Sequence, residues 1–129
     1  MPNLTALTTL LALLAYFWFD VRVGQARGKY GVKAPATSGD PNFERIFRAH
    51  QNMLEWMPIF IVGLWLFALY VSDRWAALIG LVWVGARIWY GYAYAGEASA
   101  RFPAFGLQAT AALILVLGAL FGVVMRLLA

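Results

Sequence analysis

Four long apolar runs constrain this chain more than any other feature. Met1 to Phe19 carries no charged side chain and stops at Asp20. Trp56 to Ser72 is uncharged and stops at Asp73-Arg74. Trp75 to Gly96 is apolar except for Arg87, and Phe102 to Met125 is uncharged up to Arg126. A helix needs about 20 predominantly apolar residues to cross a bilayer. Hydrocarbon cannot satisfy backbone polar groups, so only helices and closed barrels span it. Barrel strands alternate apolar and polar residues. These runs are apolar on all sides, which predicts an all-α integral membrane protein with a four-transmembrane-helix bundle.

Composition agrees. Only 12% of the 129 residues are charged and 63% are hydrophobic, whereas soluble domains carry about 25% charged residues. The length suits a single domain over residues 1–129. The chain has no cysteine, which excludes a disulfide scaffold and a cysteine-ligated zinc or iron–sulfur site. Thiol chemistry would have to borrow its thiol from a ligand. The single histidine is too little for a side-chain haem or zinc site, so no metal is predicted. The first run lacks a basic leader and a clear cleavage site, so it reads as a retained helix rather than a signal peptide.

The net charge of +4 reads as topology, with no nucleic-acid partner expected, because the basic residues cluster by segment. The first loop and its flanks hold Arg22, Arg27, Lys29, Lys33, Arg45 and Arg48, and the third connection ends at Arg101. The other side has only Arg74 and Arg126. The excess of Lys and Arg places the first and third loops in the cytoplasm and both termini opposite. The first loop, Gly24 to Asp40, is rich in glycine. Asp40-Pro41-Asn42 then predicts a helix start, with Asp40 as N-cap and Pro41 in the first turn. A helix from there to Ser72 would have about 32 residues and a length of about 48 Å. That exceeds a hydrocarbon core of about 30 Å, so its polar first turns belong at the interface or against protein.

Those first turns carry the chemistry: F-E-R-I-F-R-A-H-Q-N-M-L-E-W-M-P, residues 43 to 58. Charged groups beside a span usually face the bundle or a wet cavity. With Arg48 set at zero on a helical wheel, Asn52 falls near about 40°, Glu55 near about −20° and Arg45 near about 60°. His50 falls near about 200°, on the opposite face. The third run adds Arg87, Tyr90, Tyr94 and Arg101 at spacings of 3, 4 and 7, a stripe along one side. Facing stripes would enclose guanidiniums, a carboxylate, an amide and phenols at the cytoplasmic end. Such a pocket suits a small zwitterion with extra carboxylates, since guanidinium forks bind carboxylates bidentately.

Plainer readings stand beside this one. Arg48 and Glu55 have the plainer reading of an intrahelical or interhelical ion pair holding the bundle. Arg45 with Glu44 reads as interfacial surface, His50 as a packing residue and Arg101 as a basic anchor at the membrane face. Tyr92, off the stripe, reads as part of an aromatic belt. Trp65 and Trp83 read as lipid-facing or packing residues, and Pro58 and Pro103 as kinks or helix starts. Gly80, Gly85, Gly106, Gly118 and Gly122 suggest close helix packing.

The block F-E-R-I-F-R-A-H-Q-N-M-L-E-W-M-P-I-F resembles the signature of the MAPEG superfamily, membrane-associated proteins in eicosanoid and glutathione metabolism. Within it, R-A-H-Q-N-x-L-E is most similar to microsomal glutathione transferases of the type 3 kind. R-I-W-Y-G-Y-A-Y-A-G-E-A-S-A-R, residues 87 to 101, supports the resemblance. It implies a homotrimer of four-helix protomers, with glutathione as cofactor in cytoplasm-facing sites between protomers. Carried onto matching positions, Arg48, Asn52, Glu55, Tyr90 and Tyr94 become glutathione ligands from one protomer. Arg27 and His50 reach the site from the next protomer. Arg101 takes the place of the arginine that stabilises the thiolate, and Arg87 matches an intramembrane arginine with a structural or lining place. Departures are Trp56, where several relatives have tyrosine, and Gly28, where the leukotriene branch has a second arginine. The stretch from Tyr94 to Glu97 is one residue shorter than in type 3 enzymes.

The implied activity is glutathione transfer to hydrophobic electrophiles entering from the lipid bilayer, with glutathione peroxidase activity open to the same thiolate. Two alternatives remain from the sequence. One is a non-catalytic lipid-binding scaffold of the same superfamily. The other is a small four-helix multidrug exporter, which would need an embedded carboxylate that the first run lacks before Asp20.

Overall fold

A computed structural model describes all residues from Met1 to Ala129. It contains four helices: α1 (Asn3–Tyr30), α2 (Pro41–Tyr70), α3 (Asp73–Gly96) and α4 (Phe102–Leu128). A short 3-10 turn, Ala98–Arg101, leads into α4. All four helices are long and apolar enough to cross a membrane, and the protein is an integral, multi-pass membrane protein. Helices α1 and α3 run one way, α2 and α4 the other. Both termini and the α2–α3 connection therefore share one end, and the α1–α2 and α3–α4 connections share the other.

Local chemistry explains the helix ends. The apolar run ends at Asp20, yet α1 continues to Tyr30, where Gly31 takes a left-handed conformation (φ 69°) and Val32 N donates to Arg27 O at 3.1 Å. A residue with a Cβ is strained there, so glycine is the natural helix stop. At the opposite end, α1 has no cap of its own. The Asp73 carboxylate on α3 supplies one, accepting from Leu4 N at 3.2 Å and Thr5 N at 2.9 Å. Helix α2 starts as the sequence predicts: Asp40 Oδ1 accepts from Asn42 N at 2.8 Å and Phe43 N at 3.3 Å. It ends at Tyr70, two residues before Ser72, because the Ser72 hydroxyl already caps α3 by accepting from Trp75 N at 3.2 Å. Pro58 lies inside α2, and Pro103 stands in the first turn of α4.

The core is a set of close helix contacts. Phe60 and Trp83 stack with centroids 3.8 Å apart and planes 3° from parallel. Trp65 packs against the core helix α1 and its indole N–H donates to Thr9 Oγ1 at 3.0 Å. A Cβ on Gly80 would come within 2.7 Å of Thr8 Cγ2, and one on Gly122 within 2.9 Å of Tyr70 O. Gly91 abuts the Phe19 ring and Gly118 the Phe67 ring with no room for a methyl group. Gly85 and Gly106 face open space, so the sequence expectation of close packing holds at Gly80, Gly118 and Gly122 and fails at these two. Outward, Leu14, Phe17, Leu54, Val62, Leu113 and Phe121 are exposed. In water such a surface would be a liability. In a bilayer such a surface is compatible with acyl chains or with neighbouring helices.

Candidate functional site

A polar pocket lies between α2, α3 and the start of α4, at the end of the bundle that holds the α3–α4 connection. Its α2 wall follows from the helical period: Arg48 and Asn52, one turn apart, line it, while Glu55 on the same face pairs with Arg48 and does not line the cavity. Its α3 wall is Tyr90 and Tyr94, and the 3-10 turn brings Arg101 over the opening. The cavity has a volume of about 260 Å³ and is lined by Arg48, Asn52, Tyr90, Tyr94, Arg101, Phe102 and Phe105. Five of these were expected from the sequence.

Two cations stand at the opening in different states. Arg48 Nη1 lies 3.1 Å from Glu55 Oε1 and 3.2 Å from Gln51 Oε1. Arg48 and Glu55 thus form the ion pair that the sequence allows. Exposed pairs of this kind contribute about 0–1 kcal/mol and open readily. Arg101 makes no salt bridge. Its guanidinium lies 4.6 Å from the Tyr94 ring centroid and 4.7 Å from that of Phe102, and it donates to the Ala98 carbonyl. Aromatic faces hold the cation without neutralising it.

Deeper in, Tyr90 is buried with Ala49 and Ala104 and lies 5.6 Å from Tyr94, ring to ring. Arg87 is buried beneath it, donating through Nη1 to Asn52 Oδ1 at 2.8 Å. Phe105 closes the apolar side, with Trp56 set edge-on to it at 5.6 Å. Sequence reasoning missed Phe102 and Phe105. Their signal was weak: two aromatics beside Pro103 at the start of an apolar run.

Other expected residues lie elsewhere. His50 points to α1, as the wheel indicates, stacked on Tyr16 at 4.7 Å with Nε2 3.8 Å from Asp20 Oδ1. Arg27 donates to Val32 O at 3.3 Å and Ala36 O at 2.7 Å, with its guanidinium 4.9 Å from the Phe43 ring centroid. Within one chain neither reaches the pocket. Arg45 shares the wheel face of Arg48 but bonds Asn42 and the Ala95 carbonyl, tying α2 to the end of α3. Tyr92 sits off the stripe, accepting from Trp18 Nε1 at 3.0 Å under the Arg22 guanidinium.

A larger hollow of about 610 Å³ runs along the α2–α4 seam between Pro58, Val62, Leu66, Val116 and Leu120. None of these side chains is charged or a hydrogen-bond donor, so the hollow suits acyl chains and not a charged peptide.

The sequence pattern of the MAPEG family matches residues 5–121. An uncharacterized protein of Synechocystis is 43% identical over 95% of this chain and 89% of its own length. Microsomal glutathione S-transferase 2 of Bos taurus is 43% identical over 90% of this chain and 80% of its own. Leukotriene C4 synthase of Rattus norvegicus is 38% identical over 97% and 83%. The sequence resemblance pointed within this family to type 3 transferases, whereas these relatives bear the type 2 and leukotriene C4 synthase names. With a four-helix membrane bundle, a polar pocket between its helices and a family pattern matched along nearly its full length, this chain belongs to the MAPEG family.

Proposed function

We propose that this protein is a membrane-bound glutathione transferase. The observation that carries the reading is Arg101, a guanidinium at the pocket opening that no carboxylate neutralises. Relatives named as glutathione S-transferase and leukotriene C4 synthase support the ligand. A cysteine-like thiol has a pKa of about 8.5, so at neutral pH most glutathione is an unreactive thiol. A cation beside the sulfur favours the thiolate. A shift of two units corresponds to about 2.7 kcal/mol. Arg101 takes that part.

The remaining groups bind and orient. Arg48 holds a glutathione carboxylate and Glu55 the γ-glutamyl ammonium, each exchanging its present partner for the ligand. Asn52, Tyr90 and Tyr94 align the peptide. The functional unit is a homotrimer, in which Arg27 and His50 of the neighbouring protomer complete the site. Glutathione enters from the cytoplasm, where the first and third loops lie. The electrophile is hydrophobic and arrives from the bilayer between protomers. The thiolate attacks its electrophilic carbon and forms the thioether, and the leaving group departs with the bonding pair. A hydroperoxide is a second kind of acceptor: the thiolate attacks its terminal oxygen, the O–O bond breaks to release the alcohol, and a second glutathione converts the resulting sulfenic acid to glutathione disulfide and water. The protein contributes position and charge, and the nucleophile comes with glutathione.

The test is an ultraviolet difference titration of the detergent-solubilised protein with glutathione near pH 7. A saturable thiolate band is expected. Saturable binding without the band would favour a scaffold, and no binding would overturn the reading.

A further inference from the structure

Arg87 is the one charged side chain in the spans that is fully buried, and it forms no salt bridge. A lone cation is costly at that depth and a leucine would pack without the cost. The guanidinium instead meets neutral oxygens: Asn52 Oδ1 at 2.8 Å through Nη1 and Ala49 O at 3.5 Å through Nη2. It also lies 4.4 Å from the Tyr90 ring centroid. Asn52 and Tyr90 both line the polar pocket.

This arrangement selects one orientation of an ambiguous group. An asparagine amide presents an oxygen acceptor on one side and an NH2 donor on the other. Arginine has only donors, so it accepts the flip that turns Oδ1 toward itself. The Asn52 NH2 is then left for the pocket. A charged donor on Oδ1 also polarises the amide and strengthens that NH2 as a donor.

We propose that Arg87 is a positioning residue of the pocket: it contacts no ligand, and it fixes Asn52 as a hydrogen-bond donor toward bound glutathione. The proposal rests on the glutathione reading above and assigns this buried arginine a task within it.

The experiment measures glutathione affinity by calorimetry on full-length protein in detergent, with thermal unfolding recorded alongside. The variants are Arg87→Met, which removes every donor to Asn52, Asn52→Ala, their double, and Asn52→Asp. Each of the first two is expected to weaken affinity by about tenfold, the scale of one charge-assisted hydrogen bond. The double is expected to be no more than about twofold weaker than the weaker single, because both changes remove one shared interaction. Asn52→Asp keeps an oxygen for Arg87 and loses the NH2. It should unfold no lower than wild type yet bind about tenfold more weakly.

Losses that multiply in the double variant, or unchanged affinity in folded Arg87→Met, would overturn the role of Arg87 while leaving the glutathione reading intact. Should Arg87→Met not fold, unchanged affinity or lowered stability in Asn52→Asp overturns it instead. Wild-type protein that binds no glutathione removes the glutathione reading and this role together.

Discussion

Arg48 and Glu55 hold one another 3.1 Å apart across two turns of α2, with side chains 48% and 57% exposed. The pair resembles what the pocket is suited to bind: one cation and one carboxylate, each able to trade its partner for the opposite charge of a zwitterion. Exchange keeps both groups paired before and after binding, so little desolvation is left uncompensated.

Glu55→Gln tests that exchange. Glutathione affinity should fall by about tenfold, as one charged contact is lost. Thermal stability should change by less than about 1 kcal/mol because the pair is exposed. Calorimetry and unfolding on the same preparation decide, and unchanged affinity would remove Glu55 from the site.

Arg101→Ala should separate chemistry from binding. Near pH 7 turnover should fall by about 25-fold if the cation lowers the thiol pKa by about two units from about 8.5. Affinity for glutathione should change far less. Steady-state kinetics with a model electrophile give both quantities, and equal losses would make Arg101 a binding group.

The polar face of α2 was legible because it depends only on the helical period. Arg48, Asn52 and Glu55 recur one turn apart, His50 falls on the other side, and Asp40 before Pro41 marks the start of the helix. Arg45 shows where that reasoning stops, since a wheel gives a direction and not a partner, and the end of α3 claims this side chain. The capping of α1 by Asp73 joins residues 68 apart in sequence, so no local pattern announces it. The same holds for Gly91, whose contact is a ring on α1.

Glycine substitutions should sort by what faces them. Gly118→Val would meet the Phe67 ring and should cost about 1–3 kcal/mol through overpacking. Gly106→Ala faces open space and should be neutral or stabilising by up to about 1 kcal/mol. Thermal unfolding in detergent distinguishes the two, and equal shifts would contradict the packing described for α4.

Asp73→Ala removes the cap that α3 lends to α1. A lower thermal unfolding temperature in detergent is expected, as for loss of an N-cap. Glutathione affinity should not change, because Asp73 lies at the end of the bundle away from the pocket. Lost binding with retained folding would show that the two ends communicate.

The buried contact of Arg87 with Asn52 bears on how the chain enters the bilayer. An arginine at the centre of a span costs roughly 2.5–3.5 kcal/mol during insertion. The partners that offset it, Asn52 Oδ1 and Ala49 O, both lie on the preceding helix. Helix α3 therefore has reason to leave the translocon alongside α2, as one hairpin turned at Val71 and Ser72. The pocket's main walls would then be joined before α4 enters the bilayer, and the last helix would close a cavity already half built.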